Sequence, residues 1–288
     1  MKFKPLFLHT TFILIVLMAS LSVQAQYYGT EKESQKPFSL GLALGTSALW
    51  GEVEPDPLKS YEVGLNIQQV LSSFIDIRIQ LHHGAVRGLG RTPGDGLLNS
   101  QSWNGECPCE VKPDYTNAAT PFYNHRTQYF DGSLHLKFNI NRLFNKEATG
   151  WDLYLFGGAG GFMYQGSVDA LDANGAIYDF SGIPSNTDQT VSSLRGLLDG
   201  NFETPAEQES LGSSIGEYAL LPTLSGGFGV RFLLGEKFAL GLEARYMDTN
   251  DYLVDGVRWN DENKIIGRND KLISAAITFD ILFNKSAK

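Results

Sequence analysis

The fold is decided by the stretch Ile273-Ser274-Ala275-Ala276-Ile277-Thr278-Phe279-Asp280-Ile281-Leu282-Phe283. Its odd-numbered positions are all apolar, whereas its even-numbered positions include Ser274, Thr278 and Asp280. Side chains on one face of a β-strand recur every second residue. The stretch therefore predicts a strand that has one apolar face.

Seven further segments show this alternation, and they begin near Phe38, Tyr61, Ile75, Phe130, Trp151, Thr223 and Phe238. Their second faces mix glycine and small residues with charges of both signs. A narrow barrel explains that mixture, because its interior has little volume and its charges must pair. A soluble β-sandwich explains it less well, because glycine weakens the interior of a strand. The segment from Trp151 to Tyr164 is apolar on both faces, so its orientation stays open.

The connections between these segments alternate in length. The long connections are residues 50–60, 88–124, 165–216 and 248–270. The short connections are residues 69–73, 141–150 and 233–237. Membrane barrels have short periplasmic turns and long extracellular loops, and their closed sheet pairs every backbone group. We therefore predict an all-β fold: an up-and-down antiparallel transmembrane β-barrel of about eight strands with four long extracellular loops.

Aromatic residues fall near the predicted strand ends, where a membrane barrel carries its aromatic girdles. These residues are Trp50, Tyr61, Trp151, Tyr246 and Phe283.

The first residues resemble an export signal. Lys2 and Lys4 precede an apolar stretch at 12–18, and Val23-Gln24-Ala25 has the small residues of a cleavage site. The apolar stretch is shorter than the roughly 20 residues that a membrane-spanning helix needs. We predict a signal peptide over 1–25, cleaved after Ala25, a lead-in over 26–37, an outer-membrane barrel over 38–283 and a C-terminal tail over 284–288.

The predicted barrel interior carries four basic and four acidic residues. They are Glu62, Asp76, Arg78, Lys137, Arg231, Glu243, Arg245 and Asp280. Such a set could form a proton path, a pore lining or an active site. An unpaired buried charge costs several kcal/mol, so we interpret these residues as an ion-pair network that fills the barrel.

The sequence predicts no catalytic, cofactor-binding or metal-binding residues. His82, His83 and His125 lie near predicted strand ends, but no nucleophile elbow or His-x-x-Glu ligand pair accompanies them. Cys107 and Cys109 lie in a loop rich in Gly, Pro and Asn, and we interpret them as a local disulfide or as two thiols, with a metal site as the alternative. The net charge of −9 argues against nucleic acid as a partner.

The connection at 165–216 is acidic, and its segment Asp169–Gly175 weakly resembles a calcium loop. It lacks the spacing and the terminal Glu of an EF-hand, so we interpret it as a solvated acidic loop, with a calcium site as the alternative. The connection also contains apolar residues, which indicate a loop that folds back on itself or binds a partner. These residues are Phe180, Ile183, Leu194, Leu197, Leu198 and Phe202.

Three parts of the chain resemble small outer-membrane barrels of Bacteroidota. They are Gly45 to Val53, Leu153 to Gly160, and Pro222 to Asp255, which ends in Asp251-Tyr252-Leu253-Val254-Asp255. The resemblance is to the family containing PorG, a barrel of the type IX secretion system, and it implies an accessory role in secretion. The chain is also similar to OmpA-type eight-stranded barrels. It departs from the PorG pattern in its long 88–124 and 165–216 connections.

Together these features favour a non-enzymatic outer-membrane barrel that scaffolds or binds partners through its loops. The alternatives are an accessory subunit of a type IX-like secretion machine and a lipid-modifying barrel enzyme. The expected contacts are outer-membrane lipid and envelope or secretion-system proteins.

Overall fold

The computed structural model describes residues 38–51, 53–96, 98, 113–144, 150–208, 214–235, 237–257 and 269–283. The predicted signal peptide 1–25, the lead-in 26–37, the tail 284–288 and both cysteines lie outside the described residues. Within the described ranges, no helix combines the length and the apolar character needed to cross a membrane.

The described residues contain ten strands and two short helices. In chain order they are β1 (Phe38–Trp50), β2 (Tyr61–Val70), β3 (Ile75–Pro93), β4 (Phe122–Asn139), α1 (Ile140–Phe144), β5 (Trp151–Val168), α2 (Thr190–Leu197), β6 (Thr204–Pro205), β7 (Ser214–Ile215), β8 (Tyr218–Leu234), β9 (Phe238–Asp248) and β10 (Lys271–Phe283).

Eight of these strands close into an antiparallel ring. Neighbours in the chain pair with each other, β5 pairs with β8, and β1 pairs with β10 to complete the closure. The short strand β6 pairs with β5, and β7 pairs with β8. The predicted up-and-down barrel of about eight strands, with four long loops at one end, is confirmed.

The outer surface of the ring is an apolar belt. Leu44, Leu242 and Ile277 are each more than half exposed although they lie in the middle of their strands. The five girdle residues predicted from the sequence are all exposed as well. We call this surface the belt. It comprises the outward positions between two aromatic rows. One row contains Trp151 and Phe283, and the other contains Trp50, Tyr61, Phe130 and Tyr246. A surface of this kind is stable only in contact with hydrocarbon.

The orientation of β5, which the sequence left open, follows the same alternation. Leu153 and Leu155 are exposed on the belt, whereas Tyr154 and Phe156 are buried inside the barrel. Pairing with β8 places Tyr154 opposite Gly229 and Phe156 opposite Gly227.

Strands β3 and β4 are longer than the sequence pattern predicted. Strand β3 continues to Pro93, and β4 begins at Phe122. The second loop therefore spans 94–121 rather than 88–124. Outward positions in this added part include Arg87, Arg126 and Gln128 instead of apolar residues. The strands have left the membrane here, so the apolar alternation used for the prediction is no longer required. We call this part, residues 84–93, 122–129 and 164–168, the sheet extension.

The first loop covers the free edge of the sheet extension. Asp56 N donates to Arg87 O at 2.7 Å, and Leu89 N donates to Glu54 O at 2.9 Å. An open strand edge invites pairing with other chains, and the first loop removes that possibility along this part of β3.

Candidate functional sites in the barrel interior and the external loops

Inside the barrel, glycines lie directly opposite bulky side chains. Gly64 pairs with His82, and Gly227 pairs with Phe156. A Cβ atom added at either glycine would overlap the ring of its partner. The polar face therefore carries glycine because an eight-stranded interior has room for one large side chain at each such pair, not for two.

At the end of the interior near the short turns, Asp152 accepts hydrogen bonds from two arginines. The Nη2 atom of Arg231 lies 2.7 Å from its Oδ2 atom, and the Nε atom of Arg142, on α1, lies 2.7 Å from its Oδ1 atom. Arg231 was expected inside the barrel. Asp152 was missed, because the sequence did not reveal which face of β5 points inward.

Lys137 reaches a carboxylate through an amide rather than directly. Its Nζ atom donates to Gln68 at 3.2 Å, and Gln68 in turn donates to Asp76 at 2.8 Å. Asn139 also donates to Asp76, at 3.0 Å. The Nζ atom lies 3.8 Å from the ring centroid of Tyr154, so a cation–π contact adds to its stabilisation.

In the middle of the interior, Arg78 of β3 crosses the lumen to Glu243 of β9. Its Nη1 atom lies 2.6 Å from Oε2, and its Nη2 atom lies 3.3 Å from Oε1. Tyr154 and Gln80 donate to the same carboxylate at 3.1 and 3.2 Å. A carboxylate with this many donors is held in one position.

Nearer the end that carries the long loops, Arg245 joins two carboxylates. It donates to Asp131 and, at 3.1 Å, to Glu62. Glu62 also accepts from Tyr129 at 2.7 Å and contacts Nδ1 of His82 at 2.9 Å. Asp131 was not among the residues selected from the sequence, although its position in the alternation places it inside.

All eight residues selected from the sequence are buried. The structure brings Arg78 together with Glu243 and Arg245 together with Glu62, whereas Arg231 pairs with a residue outside the predicted set. Asp280 lies inside opposite Gly41. Strand-crossing pairs of this kind tie the wall of the barrel together and occupy its lumen.

An apolar plug closes the lumen above Arg245. It consists of Leu49, Val86, Tyr129, Phe162, Tyr164, Ala219, Leu221, Met247, Val254 and Leu272. Val254 comes from the fourth loop, and its carbonyl oxygen accepts a hydrogen bond from Thr127 at 2.5 Å. Tyr164 donates to Asp251 of the same loop at 3.0 Å. The described part of the fourth loop, residues 249–257 and 269–270, is therefore folded into the mouth of the barrel.

The described parts of the second loop (94–96, 98 and 113–121) and of the third loop (169–208 and 214–217) form a cap, whose apolar core also includes residues at the end of the sheet extension. Its buried residues are Tyr115, Phe122, Val168, Ala170, Tyr178, Phe180, Leu194 and Ala206. Ile183, Leu197 and Leu198 pack against this core, so the expectation that the third loop folds back on itself is confirmed. The Tyr115 hydroxyl donates to Ala170 O at 2.8 Å and so joins the two loops.

Asp169 is a buried carboxylate at the base of the cap. It accepts hydrogen bonds from the Tyr178 hydroxyl and from Gly200 N, both at 2.8 Å. Burial nevertheless raises the pKa of Asp169 to about 6. Asp172, in the calcium-like segment, accepts from Asn174 N and Ala176 N and so closes a local turn. The described residues contain no group of three or more His, Cys, Asp or Glu side chains arranged for a metal ion.

The three histidines near strand ends point in different directions. His82 lies inside against Glu62, whereas His83 lies on the outer surface, stacked on Phe130 at 4.4 Å. His125 is fully buried opposite Gly88, and burial lowers its pKa to about 3. His125 is therefore neutral at physiological pH.

Comparison with known proteins gives structural similarities alone. No family model and no curated protein matches the chain. Neisserial surface protein A is similar at a TM-score of 0.40 and 8% identity, over 85% of this chain and 97% of that one. Ail of Yersinia pestis is similar at 0.37 and 12%, over 86% and 100%. The outer membrane protein OprG of Pseudomonas aeruginosa is similar at 0.39 and 11%, over 87% and 98%.

Proposed function

We propose that the protein is a non-enzymatic outer-membrane barrel that presents its cap to a protein partner of the cell envelope. The observation that carries this proposal is the apolar core shared by the second and third loops. Ordering a loop costs about 1–2 kcal/mol of conformational free energy per residue, and the closure of the barrel does not require its loops to be ordered. A loop pair that is ordered by an apolar core on the end of the sheet extension therefore supports a shaped binding surface.

A cap-deficient variant tests the partner role. In it, residues 172–201 are replaced by a Gly-Ser linker, which removes Tyr178, Phe180 and Leu194 from the core but leaves every barrel strand intact. After crosslinking in intact cells, we expect one partner to be enriched with the wild type and lost with the variant. A variant altered only in the turn at Lys237 is the control. Equal recovery with all three proteins would reject the cap as the binding surface.

Two single cysteines, placed after Cys107 and Cys109 are changed to Ser, test the location and orientation. Ser192→Cys lies on an exposed position of α2, and Ser73→Cys lies on an exposed position of the turn between β2 and β3. A membrane-impermeant thiol reagent applied to intact cells should label the first site and not the second. The reverse pattern would invert the proposed orientation.

The accessory secretion role is a second candidate function, and it rests on the resemblance to the PorG family. Its most specific segment, Asp251 to Asp255, lies in the closed mouth of the barrel, where Leu253 and Val254 are fully buried. Closure of the barrel is therefore an alternative reason for that segment. Co-purification with type IX secretion proteins would support the secretion role.

The lipid-modifying enzyme stays the least favoured of the three functions. His83 is engaged by Phe130, Tyr61 and the backbone of Tyr129, and His125 is buried. Lipid analysis of a deletion strain decides this point, because a missing lipid modification would replace the non-enzymatic proposal.

A further inference from the structure

Two arginines face each other on the outer side of the sheet extension. Arg87 of β3 and Arg126 of β4 are paired in register, and both are partly exposed. Like charges directly opposite each other destabilise a strand pair. Burial and the nearby Arg126 lower the pKa of Arg87. A bound anion would remove this repulsion.

The surroundings leave both guanidinium groups without an ion pair among the described residues. The Nε atom of each arginine is buried and has no hydrogen-bond partner in the described part of the chain. Asp56 and Asp169 lie near Arg87. However, Asp56 pairs with Arg195 at 2.6 Å, and Asp169 is held by Tyr178 and Gly200.

The position of the pair indicates the kind of anion. Girdle residue Tyr61 is paired with Ala85, so Arg87 lies two residues further along β3. Two residues advance about 7 Å along a strand, and less along the membrane normal because the strand is tilted. The headgroup layer outside the hydrocarbon is about 5–7 Å thick. The outward face of β3 at this height therefore meets lipid headgroups, and Arg126, about 13 Å along the tilted strand β4 from girdle residue Phe130, lies at their outer boundary.

We propose that Arg87 and Arg126 together bind the phosphate group of an outer-leaflet lipid. Guanidinium groups present parallel donors that match phosphate oxygens, and the aromatic ring of Phe202 holds Arg87 at 5.0 Å. This inference concerns a lipid ligand and is separate from the proposed protein partner of the cap. It rests on the proposed outer-membrane placement, but purified protein tests it without any protein partner, so the two proposals fail separately.

The test uses the full chain refolded in a neutral detergent and lipid A bisphosphate as the probe. Affinity is measured by titration for the wild type, for Arg87→Gln/Arg126→Gln and for the control Lys237→Gln, an exposed cation on the β8–β9 turn. We expect the double variant to bind at least about tenfold more weakly, as lost charge-assisted hydrogen bonds require. The control should match the wild type.

Two further results discriminate between explanations. Without lipid, the double variant should melt at the same temperature as the wild type or higher, because the repulsion is gone. If that variant does not fold, the single variants Arg87→Gln and Arg126→Gln must each weaken binding. Equal affinity in wild type and variants, or equal loss with Lys237→Gln, would overturn the proposal. If inorganic phosphate competed at the same concentration as the lipid, the site would be assigned to a free anion and not to a lipid.

Discussion

At the scale of single residues, the interior works as a set of complementary volumes and charges. Several bulky inward side chains occupy space that a glycine on the adjacent strand leaves free, as Phe156 does beside Gly227 and His82 does beside Gly64. Each cross-lumen charge pair joins strands far apart in the chain, as Arg245 does with Glu62 and Asp131. Both features make single substitutions inside the barrel costly.

Two glycines on paired strands test the volume argument. Gly227→Val places a side chain against the ring of Phe156, and overpacking of this kind costs about 1–3 kcal/mol. Gly157→Val is the control, because Gly157 is exposed on the belt and has no atom closer than 3.9 Å to a new Cβ. Urea unfolding in liposomes should show a large loss for the first variant and little change for the second. Equal losses would refute the volume argument.

Removal of Arg245 tests the charge argument. In Arg245→Ala, the buried carboxylates of Glu62 and Asp131 lose their cation, and breaking a buried pair costs about 3–5 kcal/mol. Lys59→Ala, at an exposed site in the first loop, should change the free energy of unfolding by less than about 0.5 kcal/mol. A fully stable Arg245→Ala barrel would show that the carboxylates do not need this arginine.

At the scale of elements, the strands cross the membrane and the long loops lie beyond it. Strands β3, β4 and β5 pass through the belt and continue as the sheet extension, on which the cap is built. The same substitution should therefore have different effects in the two environments.

Two isoleucines of similar exposure test this difference. Ile277 of β10 is 55% exposed in the middle of the belt, whereas Ile215 of β7 is 50% exposed outside it. Arginine facing lipid near the bilayer midplane costs about 2–4 kcal/mol. We expect Ile277→Arg to impair assembly into liposomes and Ile215→Arg to assemble normally. Unchanged assembly of both proteins would show that β10 does not face lipid.

The cap should lose local stability as pH rises through the range in which Asp169 titrates. The pKa of Asp169 in the folded cap is about 6, above its ordinary value of 3.8, so folding favours the protonated form. Protonation therefore stabilises the cap below pH 4, and this contribution is lost between about pH 4 and pH 6.

Hydrogen-exchange protection factors around residues 176–180 measure this effect. Protection should fall from pH 4 to pH 7 in the wild type and fall less in Asp169→Asn. Asp179→Asn is the control, because the pKa of this exposed carboxyl is lowered by its hydrogen bond from Ser181 N. If the protection factors of Asp169→Asn fell with pH as steeply as those of the wild type, the pH dependence would come from other groups.

At the scale of the whole molecule, the barrel is a filled cylinder with a closed outer mouth. Its lumen contains the cross-strand ion pairs, and the plug lies above them. An eight-stranded barrel is just wide enough for its side chains, and wide aqueous pores require many more strands. The fourth loop adds Val254 to the plug, so closure does not depend on the cap.

Planar-bilayer recordings test this closure. Purified protein should give no stable single-channel steps, because both signs of charge in the lumen are paired instead of forming a one-sign selective lining. A wide trimeric porin in the same bilayer is the positive control. Reproducible conductance of the wild type would show a water-filled path through the interior.

The sequence by itself determined the barrel, the four long loops, the belt and the eight inward charges. These features follow from period-two alternation and from connection lengths, which are local properties of the chain. Glycine on the polar face was likewise visible before any pairing was known. The alternation ended where the strands left the membrane, and for that reason it placed the ends of β3 and β4 too early.

Only the tertiary structure decided which charges meet, that Asp152 and Asp131 belong to the network, and that the fourth loop enters the lumen. It alone placed Arg87 opposite Arg126 and built the cap from two loops. Each of these contacts joins residues on different strands or loops. They depend on strand register and on closure of the ring, and neither is encoded in the local alternation of a single strand.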